Sequence, residues 1–166
     1  MSIRSANKFR QFIANLSLSS RKPHIISLTE TWLDKDCDPA YYSIDGYNVY
    51  RTNRSALTSA RSGGGGCLIA ISSQLISSSI HINVDGVEHL FVKISNQFSK
   101  LIIGTAYISQ ECNVLKYSTH ATVVEMLASR FPDYELLLCG DYNLPNITWP
   151  LNEPLKFLAD AEALQC

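Results

Sequence analysis

The sequence predicts an α/β sandwich with helices packed outside β-sheets. Three observations carry that expectation. Two stretches, roughly 5–17 and 114–130, repeat apolar residues at helical spacing. Short apolar runs that read as strands lie between and after them, among them "HIISLTE", "GGGGCLIAIS", "EHLFVKIS", "KLIIGTAYIS" and "YELLLCGD". Some of these runs are joined by tight polar turns and one pair by a helix, a mixture of hairpin and crossover connections.

Taken in order, Ile3, Ala6, Phe9, Phe12, Ile13 and Leu16 form the apolar stripe of the first helix. Pro23 stops its continuation, and "HIISLTE" reads as a buried strand. Asp45-Gly46 marks a turn before the extended "YNVYRTNR". The Gly63–Gly66 run lacks the Lys-Ser/Thr of a phosphate-binding P-loop and leads into a strand, so a hairpin turn or tight sheet packing is expected there. "EHLFVKIS" and "KLIIGTAYIS" are two strands joined near Asn96-Gln97. Val123, Val124, Leu127 and Phe131 mark the second helix, closed by Pro132. "YELLLCGD" is a further strand, and "EPLKFLADAEALQC" is expected to be helical, with Pro154 in its first turn.

At 166 residues the chain has the length of one domain, taken as 1–166, large enough for a proper core. No apolar run approaches the roughly 18–20 residues of a membrane span. Ala14 to Ser20 is mostly small and polar, unlike a signal-peptide core, so an intracellular protein with no membrane partner is expected. Cys37, Cys67, Cys112, Cys139 and Cys166 are widely spaced and odd in number, which argues against a disulfide framework or a zinc site. The net charge of −1 conceals an asymmetry: residues 1–61 carry nine Lys/Arg against five Asp/Glu, and residues 62–166 carry five against ten. A basic first third suits phosphate contact, and equally a solvated mixed surface.

The chemistry-bearing residues end apolar runs. Glu30 follows a strand, where α/β proteins place ligands, and a hard cation such as Mg²⁺ is often held by one or two carboxylates plus substrate phosphates. A solvent-facing loop acid is the equal alternative. Asp141 and Asn143 follow a strand through Gly140, which permits a sharp turn. They share a side if the extended geometry continues briefly. An Asp there can hold or deprotonate a water, and an Asn can orient it or donate to a phosphoryl oxygen. An Asx-rich turn satisfies the same pattern. Tyr107 ends "LIIGTAY", where its phenol either reaches a phosphate or simply meets water. His24, His81, His89 and His120 show no metal-ligand spacing, and no GxSxG nucleophile elbow is present.

Taken together, "HIISLTETWLD", "GYNVYRTNR", "GGGGCLIAI", "VEHLFVKI", "IIGTAYIS" and "LLLCGDYNLPNITW" resemble, in this order, the apurinic/apyrimidinic-type endonuclease domain of non-LTR retrotransposons. That domain belongs to the endonuclease/exonuclease/phosphatase superfamily. The resemblance implies a two-sheet β sandwich flanked by helices and phosphodiester cleavage with Mg²⁺ or Mn²⁺. It also implies nicking of chromosomal DNA in the nucleus, where the freed 3′-hydroxyl primes reverse transcription. The implied partners are DNA and, within a longer polyprotein, a reverse transcriptase domain; the domain itself is expected to be a monomer. On the same resemblance Glu30 matches the metal-binding glutamate and Tyr107 the tyrosine that contacts the phosphate. Asp141 matches the aspartate that orients or activates the water, and Asn143 the asparagine that places water and scissile phosphate. Arg51, Arg54 and Arg61 are assigned to the DNA backbone on charge and position alone.

The family pattern begins with a strand carrying an Asn and ends with a Ser-Asp-His segment whose His is central to catalysis. Neither matches a stretch of this sequence, and Ser109 stands where a Pro is frequent. The domain is therefore expected to be incomplete at both ends and its nuclease activity impaired. The competing reading is a catalytically inactive retroelement remnant or binding module, and a phosphatase relative of the same superfamily ranks third.

Overall fold

Each strand alternates between two environments, and that alternation builds the layers. The computed structural model describes residues 6–33, 36–59, 63–82, 84–97, 99–109 and 114–143. In chain order these form helix α1 (Ala6–Leu18), strand β1 (Ile25–Thr29), a 3-10 turn (Pro39–Tyr41), β2 (Tyr47–Thr52), β3 (Cys67–Ser72), β4 (Ser77–Ile80), β5 (Glu88–Ser95), β6 (Lys100–Tyr107), helix α2 (Val114–Arg130) and β7 (Glu135–Asp141). The helix expected after Pro154 lies outside the described residues, as do Arg61, Cys112 and Cys166.

The strands make a three-stranded sheet in the order β1-β3-β2 and a four-stranded sheet in the order β4-β5-β6-β7. All pairs are antiparallel except β6 with β7, which are parallel and linked by the α2 crossover. This is the two-sheet sandwich with outer helices that the sequence leads one to expect.

Side chains two apart on a strand share a face. On β3, Cys67, Ile69 and Ile71 point between the sheets and meet Leu90, Val92, Ile94 and Ile103 of the other sheet. The intervening Leu68 and Ala70 point outward and pack with Ile26, Leu28 and Phe9 of α1. On the far side, Phe91 and Ile102 pack against Val123 and Leu127 of α2. The runs "CLIAI" and "LFVKI" are apolar on both faces because each sheet is covered twice. Burying each such Ile, Leu or Phe is worth about 1.5–3 kcal/mol. Polar contacts also bridge the sheets, among them Ser27 Oγ with Thr105 Oγ1 at 2.7 Å and the Cys67 thiol donating to Glu88 O at 3.3 Å.

One strand is absent from the sequence expectation. Residues 77–80 read "SSSI", with no apolar alternation, yet they form the edge strand β4. Pairing with β5 from Ser77↔Ile94 to Ile80↔Phe91 supplies what propensity does not. Among the described residues no helix is long and apolar enough to cross a membrane.

Candidate active site

The last paired positions of the four-stranded sheet bring polar residues to one level. Register aligns Glu88 of β5 with Tyr107 of β6, and Tyr107 with Asp141 of β7. Register partners share a sheet face. Tyr107 lies on the face of Leu101 and Ile103, which looks toward the other sheet. Glu30 stands there, immediately after β1, and Tyr107 Oη donates to Glu30 Oε1 at 2.7 Å. The alternative in which this phenol meets only water does not hold. Burial, and then the bond to Glu30, push the Tyr107 pKa up to about 12, so the phenol keeps its proton and remains a donor.

Glu30 is no ordinary loop acid. It is buried and has φ +50°, and Trp32 has φ +56°, a region L-residues visit at a cost of roughly 1–2 kcal/mol. The glycine run holds them there. The Thr31 N–H donates to Gly66 O at 3.3 Å and the Trp32 N–H to Gly65 O at 3.0 Å. A Cβ on Gly65 would strike Glu88 and Arg54, and one on Gly66 would lie 2.7 Å from Thr31 Oγ1. The run is thus tight packing beneath the Glu30 turn, one of the two expectations for it.

Arg54 has partners within the chain that its position in the sequence does not reveal. Its side chain is 8% exposed, with Nε 2.6 Å from Glu88 Oε1 and Nη1 donating to Gly63 O at 2.7 Å. Its guanidinium also lies 5.7 Å from the Tyr107 ring centroid. Burial pulls the Arg54 pKa down, but Glu88 and then Tyr107 outweigh it and hold the group above its ordinary value. Glu88 Oε2 in turn accepts from the Gly66 N–H at 2.5 Å. A guanidinium so engaged braces Tyr107 and the glycine run. Arg51 pairs in register with Leu68, on the α1 face of its sheet, and lies 4.2 Å from the Tyr42 ring centroid. The fold does not bring it to the Glu30–Tyr107 pair. Glu88 was missed by sequence reasoning; an acid opening an apolar strand, in "GVEHLFVKI", is its only signal.

The Gly-Asp-Tyr-Asn turn departs from the simple extended reading. β7 ends at Asp141, and Asn143 has φ +49°, so the extended path stops between them. Asn143 is tied down instead: its N–H donates to Asp141 Oδ1 at 3.2 Å and its Nδ2 to Ile108 O at 2.6 Å. The Ile108 N–H donates to Asp141 O at 3.0 Å, which locks this turn to the end of β6 beside Tyr107. Gly140 is required, because a Cβ there would strike the Ala106 backbone.

The donors at this end of the sandwich are oxygens: the Glu30 and Asp141 carboxylates, the Tyr107 phenol, and Thr31 Oγ1, which is buried beside Glu30 without a hydrogen-bond partner. Oxygens are what a hard cation takes together with phosphate oxygens, but among the described residues no three His, Cys, Asp or Glu side chains gather as a metal cage.

Solved structures share this architecture. The endonuclease domain of TRAS1, a telomere-specific non-LTR retrotransposon, superposes with a TM-score of 0.60 at 12% identity, covering 95% of this chain and 66% of that one. TDP2 of D. rerio, complexed with a single-strand DNA product, gives 0.57 at 17% identity over 96% and 59%. The catalytic domain of human Nocturnin with bound sulfate gives 0.54 at 14% identity over 82% and 57%. The chain has the endonuclease/exonuclease/phosphatase fold. It spans two thirds or less of the length of each of these structures. No family model matches the sequence, and no curated protein is significantly similar to it.

Proposed function

We propose that this endonuclease/exonuclease/phosphatase-fold chain is a retrotransposon-type endonuclease domain that hydrolyses DNA phosphodiester bonds, with Glu30, Tyr107, Asp141 and Asn143 as its site. The supporting observation is the position of Tyr107, bonded to Glu30 across the sandwich and paired with Asp141 along its own sheet. Glu30 would hold Mg²⁺ or Mn²⁺, and a cation bound there supplies Lewis-acid polarisation of the phosphate.

The chain's own residues provide the rest. The Asp141 carboxylate orients a water for in-line attack and takes its proton, while the bond to the 3′-oxygen breaks and that oxygen takes a proton from solvent water to become the 3′-hydroxyl. The Tyr107 phenol, protonated to about pH 12, donates to a phosphoryl oxygen that competes with Glu30 for it. Asn143 commits one amide hydrogen to Ile108 O and keeps a second for water or phosphate. Its left-handed backbone fixes the direction of that donor before substrate arrives. Action on chromosomal DNA in the nucleus, beside a reverse transcriptase domain of the same polyprotein, completes the reading.

Nicking of supercoiled plasmid by the purified chain, with Mg²⁺ or EDTA and beside Asp141→Ala, tests it. Nicking that needs Mg²⁺ and disappears in the variant is expected. Equal nicking by both proteins, or none by either, would favour an inactive remnant.

A further inference from the structure

The turn that carries Asp141 and Asn143 is gripped by helix α2 through the residue between them. The Tyr117 phenol donates to Tyr142 O at 2.7 Å. One helical turn on, His120 Nε2 lies 3.2 Å from Tyr142 Oη. Tyr142 is therefore held by its main chain and by the tip of its side chain, both from the same helix face. His120 is in turn fixed from the sheet. Its Nδ1 is 3.3 Å from Nδ1 of His89 on β5, and its ring stacks on Phe91 at 6.1 Å and 15°. His120 is 2% exposed and His89 8%.

These contacts dictate the tautomers. Two imidazole Nδ1 atoms at hydrogen-bond distance require one to donate and the other to accept. His89 Nε2 is buried without a hydrogen-bond partner. If His89 accepted at Nδ1, its only hydrogen would sit on Nε2, as an orphaned buried donor. If His89 donates from Nδ1, only a lone pair is left unmet, which is the more tolerated case. His120 then accepts at Nδ1 and carries its hydrogen on Nε2, aimed at Tyr142 Oη.

We propose that Tyr117 and His120 are positioning residues for Asp141 and Asn143, holding the catalytic turn by Tyr142, with His89 setting the tautomer of His120. The catalytic part of this rests on the nuclease reading above, but the grip is a property of the free protein. Loss of one grip bond loosens the turn and leaves the three core clusters filled, because Tyr117→Phe and Tyr142→Phe each remove only a hydroxyl.

NMR on the metal-free chain separates the two questions. Imidazole nitrogen shifts are expected to show His89 as the Nδ1–H tautomer and His120 as the Nε2–H tautomer. In Tyr117→Phe and Tyr142→Phe, amide exchange at Tyr142 and Asn143 is expected to rise by about fivefold, the worth of one hydrogen bond, while amides of the β1-β3-β2 sheet stay unchanged. Where the wild-type chain nicks DNA, both variants are expected to lose kcat with KM held. His120→Gln, which keeps a donor near the Nε2 position, is expected to retain more of it than His120→Leu. Unchanged exchange at positions 142 and 143 in both Phe variants would overturn the grip whatever the activity, and His120 found as the Nδ1–H tautomer would overturn the part given to His89. A wild-type chain that shows the grip but nicks nothing would overturn the nuclease reading instead.

Discussion

Tyr107 on one sheet donates its phenol hydrogen to Glu30 on the other, at 2.7 Å. The two residues are 77 positions apart in sequence, so the bond exists only because the sandwich closes. It holds the end of β6 against the left-handed turn after β1, and Asp141 lies in register with the same tyrosine. The candidate site is therefore an assembly of strand ends, each presenting one side chain, and its parts make separable demands on the chain.

Tyr107→Phe removes the donor and keeps the ring beneath Arg54. If the phenol stabilises charge on a phosphoryl oxygen, Mg²⁺-dependent nicking falls by about 10²-fold, the usual loss for one preorganised donor. Folding loses only about 1 kcal/mol for one hydrogen bond. Nicking rates and urea unfolding of the same preparation check both halves. A stability loss with unchanged nicking would confine Tyr107 to a structural role.

Arg54 and Glu88 make a buried pair whose rupture is costly. Glu88→Ala leaves a guanidinium 8% exposed with no counter-charge and removes the acceptor of the Gly66 N–H. Breaking such a pair typically costs about 3–5 kcal/mol. Arg54→Ala is expected to cost a similar amount, and the double variant less than the sum of the two. A thermodynamic cycle by urea unfolding measures the coupling. An Arg54→Ala protein of normal stability and weakened DNA affinity would assign Arg54 to DNA contact instead of bracing.

Gly65 and Gly46 separate strain from collision. Both have positive φ, +67° and +82°, so Ala at either position bears the left-handed penalty of about 1–2 kcal/mol. A Cβ at Gly46 meets nothing within 4 Å, whereas at Gly65 it meets Glu88 and Arg54. Gly65→Ala is expected to be the more destabilising of the two by at least about 1 kcal/mol, with the excess abolished in an Arg54→Ala/Glu88→Ala background. Equal losses at the two glycines would show that the run is looser than its packing implies.

Much of this was legible in the sequence because it rests on local pattern. The helical stripe of Phe9, Phe12, Ile13 and Leu16 packs on the outer face of one sheet, as its spacing requires. Glu30, Tyr107 and Asp141 stood out as polar residues ending apolar runs; Tyr107 and Asp141 do end their strands, and Glu30 directly follows β1. What escaped depends on distant partners. Glu88 is explained only by Arg54, 34 residues away. β4 is a serine-rich edge that pairs because β5 offers an open side. Tyr117 and His120 sit among apolar helix positions and look like core, and only the folded position of Tyr142 shows that their polar atoms are used. Asn143 was recognised, but its left-handed backbone is set by the tie to Ile108, which no spacing rule reveals.

The histidine pair makes stability depend on acid. Burial pulls both His89 and His120 down from the ordinary 6.5 to about 4, with His89 adding repulsion at His120. The groups around His120 are His89, Phe91 and Tyr142, none of which is an acid that would favour the imidazolium. The unfolded chain takes up these protons near pH 6.5 and the folded chain only near pH 4, so between those values the unfolded state binds more. Stability then rises with pH across the window: it is fully present above 6.5 and lost on acidification toward 4. For both groups together the loss is on the order of several kcal/mol. Carboxylates also titrate at the acid end, so the slope just below pH 6.5 is the informative part. Urea unfolding across that range is expected to show stability falling steadily in the wild type and falling less in His89→Phe, where one of the two groups is gone. Parallel slopes for the two proteins would mean that His89 takes up its proton as readily in the folded state as in the unfolded one, and the neutral relay from His89 through His120 to Tyr142 would then not persist below about pH 6.5.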